Sequence, residues 1–160
     1  IEKRFLCVKN IKKRCNPILR KTMIEFYSET DFNIEDTKAL SHWISEIILH
    51  ENHELGDLTY VFCDDAYLHK LNVQFLNHDT LTDIISFDNS LGKQIHGEIY
   101  ISVERVKENA GTYQVAFLEE LHRVIIHGVL HFCGYKDKTE KQQETMSCKE
   151  NEALDLRTFS

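Results

Sequence analysis

Two of the nine histidines in this chain stand at a spacing that chemistry can use. His127 and His131 bracket the run His127-Gly-Val-Leu-His131. On a helix, positions i and i+4 share one face a turn apart, so both imidazoles can reach one metal ion. Gly134 is placed to stop that helix in a left-handed turn, and the short loop after it can bring Asp137 back toward the same ion. Two histidines and one carboxylate, with a position left for water, form the donor set of a catalytic zinc site rather than a structural one. Two imidazoles on an otherwise apolar helix are costly without partners, which favours ligation over a hydrogen-bonded core. Gly128 occupies the place where His-Glu-x-x-His metalloproteases carry their general base, so a protease is disfavoured. Cys133 falls on the adjoining helical face and is read as packing. His42, His50, His53, His69, His96 and His122 lack ligand spacing and are read as surface or interface residues.

The elements that must position these residues follow from periodicity. Phe117 to Phe132 is apolar almost all round beyond Val124, the mark of a helix buried in the core. Thr139 and Gln142 make a capping box for a last helix reaching about Leu156, with Met146, Ala153 and Leu154 inward. Upstream, Met23 to Ser28 alternates as a strand. Leu40, Trp43, Ile44, Ile47 and Ile48 form a helical stripe, with Asn33 or Asp36 as its cap. Leu58 to Cys63 is apolar on both faces, as in a strand covered on both sides. A helix from Asp64 or Asp65 buries Leu68, Leu71 and Phe75, and strands follow at Ile84 to Phe87 and Glu98 to Val103. Helix-sized crossovers join the first three strands and a short link joins the last two, which predicts a small mixed four-stranded sheet. The fold class is α+β, with four to five helices and the metal site on a buried helix.

Length and charge bound the rest. At 160 residues, 42% hydrophobic, with six glycines and one proline, the chain supports one well-packed domain and no flexible linker. No apolar stretch approaches the roughly 20 residues of a membrane span. Five scattered cysteines without a Cys-x-x-Cys pair exclude a disulfide scaffold and fit a reducing cytoplasm. Residues 1–22 hold eight basic residues against one acid, while the other 138 residues carry net charge -14. The first 22 are read as a basic N-terminal extension outside the fold, and 23–160 as the metallohydrolase domain. An acidic body does not capture nucleic acid broadly, so any RNA binding must rest on a local patch.

The segment His127-Gly-Val-Leu-His-Phe-Cys-Gly-Tyr135, with Met146 and Glu150 behind it, resembles the signature of the YbeY endoribonucleases. Two more blocks are similar to that family in the same order. One is Leu71-Asn72-x-x-Phe75, then Asp79, then Thr82-Asp83-Ile84-Ile85-Ser86-Phe87; the other is Gly97-Glu98-Ile99-Tyr100-Ile101-Ser102 with Arg105. The resemblance implies a single-strand-specific, metal-dependent endoribonuclease. It would act in maturation of the 3′ end of small-subunit ribosomal RNA and in ribosome quality control, with single-stranded or ribosomal RNA as substrate and ribosome-associated proteins as partners.

Two places depart from the family pattern. Asp137 replaces the family's third histidine ligand, an ordinary exchange for zinc. Leu76 stands where the family carries an arginine thought to serve catalysis, which implies weakened activity unless His78, Lys70 or Arg105 supplies the charge. Thr82, Asp83 and Ser86 are candidates for lining the cleft beside the metal, although Asp83 equally suits a turn cap. Glu98 either hydrogen-bonds a ligand histidine or is an exposed strand acid. The catalytic set is therefore Thr82, Asp83, Glu98 and His78, around one Zn2+ per chain on His127, His131 and Asp137. The rival readings are a metallohydrolase acting on a peptide or small phosphoester, and a ribosome-associated protein whose metal only braces the fold.

Overall fold

The computed structural model describes residues 23–159; the basic extension expected at 1–22 lies outside them. The chain runs β1 (Ile24–Ser28), α1 (Thr37–His50), β2 (Glu54–Cys63), α2 (Asp65–Leu71), a π-helical turn (Asn72–Leu76), β3 (Ile84–Asp88), β4 (Gln94–Ser102), α3 (Val103–Tyr113), α4 (Phe117–Phe132) and α5 (Glu140–Asp155). The strands form one mixed sheet in the order β1-β2-β4-β3. β1 with β2 and β2 with β4 are parallel, and β3 with β4 is an antiparallel hairpin. The class is α+β, as the periodicity indicates.

Successive strand residues point to opposite faces, and Ile84 and Ile85 show both. Ile84 joins the main core with Ile99, Ile101, the α1 stripe from Leu40 to Ile48 and the buried length of α4. Ile85 joins a smaller cluster with Cys63 and Leu68 beneath α2. Glycine at 128 lets α4 lie close to the sheet, because a Cβ there would come within 2.9 Å of Ile99 Cδ1 and 3.1 Å of Ile84 Cδ1. The same geometry explains why no general base follows His127: that position faces the sheet, not the cleft.

Several boundaries differ from the sequence reading for identifiable reasons. β2 begins at Glu54 rather than Leu58, since an irregularity between Leu55 and Leu58 lets the strand continue its pairing with β4. β4 stops at Ser102, whose hydroxyl accepts the Arg105 N–H at 3.2 Å and caps α3 with no intervening loop. Phe75, expected inside, is 42% exposed. The i→i+5 bonding of the π turn rotates it off the buried face. Asn72 turns inward instead, donating from Nδ2 to the Thr80 carbonyl at 2.7 Å. His122, expected at the surface, is buried against Trp43 and Phe159.

Candidate metal centre

α4 ends at Phe132, and Gly134 follows in the left-handed region at φ 101°. That turn sends the chain back past the helix end, where the Asp137 carbonyl accepts from Gln143 Nε2 at 3.0 Å. The Thr139–Gln142 capping box then starts α5. Asp137 is thus anchored between a helix stop and a helix start.

The three expected ligand residues come together. His127 Nε2 lies 2.9 Å from His131 Nε2, and Asp137 Oδ2 lies 3.5 and 3.4 Å from those two nitrogens. Donors about 2.0–2.1 Å from a tetrahedral zinc stand roughly 3.3 Å apart, so these separations bracket the required value. Both histidines are buried, 7% and 6% exposed. Their outer nitrogens are committed: His127 Nδ1 bonds Glu150 Oε1 at 2.5 Å and His131 Nδ1 bonds the Tyr135 carbonyl at 2.9 Å. A neutral imidazole that donates from Nδ1 carries its lone pair on Nε2. Two such lone pairs and a carboxylate oxygen, crowded in a buried space, are the electrostatic arrangement a cation relieves. The donor set fits a divalent metal.

Glu150, placed behind the metal segment by the family resemblance, is the acid that holds His127. Glu98, read either as the partner of a ligand histidine or as an exposed strand acid, is the latter: it is exposed and its Oε2 accepts from the Tyr100 hydroxyl at 3.2 Å. The signal for Glu150 was available: it sits at helical spacing between Met146 and Ala153 on the buried stripe of α5. Burial pushes its carboxyl up, but the His127 hydrogen bond, together with the Arg123 charge, holds it below the ordinary value. Cys133 packs against the core as expected, and burial, helped by Glu51 and Asp88, pushes its thiol up to about 12, far from a thiolate ligand.

A cleft of about 390 Å3 opens beside His127. Asp83, Asn109, Tyr113, Arg123 and Glu150 are among the residues lining it. Asp83 accepts from Asn109 Nδ2 at 3.3 Å, and Thr82 bonds its hydroxyl to the Ile84 carbonyl at 3.3 Å in the turn that presents Asp83. His78 is not among the lining residues; its backbone N–H closes the π turn onto the Asn72 carbonyl. Leu76 packs against Cys63, Leu68 and Ile85 beneath the opposite face of the sheet. Of the expected replacement cations, Arg105 is held by Asp65 and Glu108, and Lys70 is exposed on α2.

The family described as Endoribonuclease YbeY matches residues 23–157. The protein named Endoribonuclease YbeY from Flavobacterium psychrophilum is 57% identical over 134 residues, covering 84% of this chain and 96% of that one. Its namesake from Christiangramia forsetii is 54% identical over 138 residues, covering 86% and 96%. Among solved structures, a Thermotoga maritima protein determined in solution is similar at a TM-score of 0.58 and 28% identity, covering 83% of this chain and 87% of that one. The match spans the sheet, the histidine helix, the Asp137 loop and α5 as one unit, and the chain belongs to the YbeY endoribonuclease family.

Proposed function

We propose that this chain is a single-strand-specific endoribonuclease whose metal is one zinc ion held by His127, His131 and Asp137. The observation that carries the reading is the convergence of two Nε2 lone pairs and one carboxylate oxygen, mutually 2.9 to 3.5 Å apart, beside an open cleft in a chain of this family. His127, His131 and Asp137 would hold a divalent cation there, and it would supply Lewis acidity, making an attacking water more acidic and offsetting charge on a phosphodiester. The protein's own groups supply arrangement. Glu150 and the Tyr135 carbonyl fix both imidazoles with Nε2 inward. Asp83, steadied by Asn109 and facing the same cleft as His127, is the carboxylate placed to carry a proton during hydrolysis. Thr82 shapes the turn that holds it.

The substrate we assign is single-stranded ribosomal RNA, cut during maturation of the small-subunit 3′ end in the cytoplasm, with ribosome-associated proteins as partners. Residues 23–160 carry the activity and 1–22 extend from it. Leu76 brings no charge to the reaction, so turnover is slower than in an enzyme with arginine there.

The test incubates zinc-loaded protein with a labelled single-stranded oligoribonucleotide and with its duplex, each with and without chelator. Cleavage of the single strand alone, abolished by chelator and by His127→Ala, is the expected result. Cleavage that survives either treatment overturns the reading.

A further inference from the structure

The cleft beside His127 is an unpromising place for a phosphodiester on charge alone, because Asp83, Glu120 and Glu150 all line it. One Lys or Arg side chain lines it too. Arg123 stands one helical turn before His127 on α4, so its side chain rises on the same face as the histidine pair. Its Nη1 donates to Asn151 Oδ1 at 2.8 Å and to Glu150 Oε2 at 3.3 Å, and its Nε lies 4.0 Å from Glu120 Oε2. These bonds fix the guanidinium plane at the cleft wall, and its five donors exceed the contacts just named. At the end of α3, Tyr113 also lines the cleft and is 62% exposed.

We infer that Arg123 and Tyr113 form a nucleotide subsite next to the metal centre, Arg123 holding a backbone phosphate and Tyr113 stacking on the adjoining base. The inference rests on the endoribonuclease reading and deepens it. A planar guanidinium matches phosphate geometry with paired donors, and an exposed aromatic ring stacks any base without regard to its identity. A stacking ring also requires an unpaired base, so the subsite itself disfavours duplex RNA. Arg123 thus brings a cation to the cleft from α4, the helix that carries the histidines. Arg105, bound to Asp65 and Glu108, does not line this cleft.

The experiment measures binding of a fluorescent single-stranded oligoribonucleotide across a salt series, with chelator present so that no turnover intervenes. Melting temperature is recorded for every variant. Each phosphate contact contributes about 0.7 to the slope of log affinity against log salt on a single strand. Arg123→Gln should lower that slope by about 0.7 and weaken binding by about tenfold, while Arg123→Lys keeps the slope and weakens binding less. Tyr113→Ala should weaken binding about tenfold at unchanged slope, and Arg105→Gln should change neither.

A wild-type slope in Arg123→Gln overturns the phosphate assignment, and wild-type affinity in Tyr113→Ala overturns the stacking assignment. If Arg123→Gln melts below the assay temperature, the retained slope and weaker affinity of Arg123→Lys decide, and wild-type affinity there overturns the assignment. Metal-dependent cleavage by the wild type, with both variants indistinguishable from it, removes the subsite and leaves the function standing; a wild type that neither binds nor cleaves RNA removes both.

Discussion

With both Nδ1 atoms engaged, the Nε2 atoms of His127 and His131 are the ones turned toward each other, 2.9 Å apart. Asp137 adds a carboxylate oxygen to the same spot. Removing it should therefore weaken binding as well as coordination: Asp137→Ala is expected to lower zinc affinity at least about tenfold, while Asp137→His keeps the metal. Competition against a zinc chelator of known affinity checks both, and an alanine variant that binds as tightly as wild type would place the third ligand elsewhere. The ligand residues were legible because i, i+4 spacing, a helix-stopping glycine and a nearby carboxylate are all local signals. The resemblance named Glu150 but not its pairing with His127, because the two lie 23 positions apart on different helices and the local sequence shows only an acid on an apolar stripe.

Helices and strands were legible wherever one face is buried for several turns, as in α1, α4 and α5, and wherever a cap is local, as in the Thr139–Gln142 box. The π turn was not, since a change from i→i+4 to i→i+5 bonding alters no residue type and only displaces which side chains point in. Phe75 and Asn72 exchange roles for that reason. Tertiary fit of α4 makes a sharper prediction. A methyl group at Gly128 would press on Ile99 and Ile84 side chains at 2.9 to 3.2 Å, and overpacking of this kind costs about 1–3 kcal/mol. Gly128→Ala should melt several degrees lower than wild type, and because both ligand histidines ride on the displaced helix, its zinc affinity should fall as well. Unchanged melting and zinc affinity would mean that the isoleucine tips yield freely.

At the scale of the whole molecule, stability depends on pH through a group outside the metal ligand set. Burial, reinforced by the Arg157 charge, lowers the His122 pKa to about 4 from an ordinary value of 6.5. Arg157 Nη1 lies 2.8 Å from its Nδ1. Between those two values the unfolded chain binds a proton that the folded chain does not, so stability falls as pH drops from about 6.5 toward 4. Melting temperatures at pH 7 and pH 5 should differ more for wild type than for His122→Phe, which removes the titrating group; an equal difference in both would assign the pH dependence to other groups. Among the described residues no helix is long and apolar enough to cross a membrane, in keeping with the composition.

Trp43 is the chain's single tryptophan. Its indole N–H donates to the Ala153 carbonyl at 2.8 Å, and its ring lies 5.8 Å from that of His122. Ala153 is three residues beyond Glu150 on α5, so the environment of this one fluorophore is set by whether the helix behind His127 is docked. The protein thus carries an intrinsic optical reporter: loosening of α5 exposes the indole to water and shifts its emission to the red, while protonation of His122 places a quenching cation beside it. Acid titration and unfolding can be followed in the same unlabelled sample, each through a different change in one spectrum.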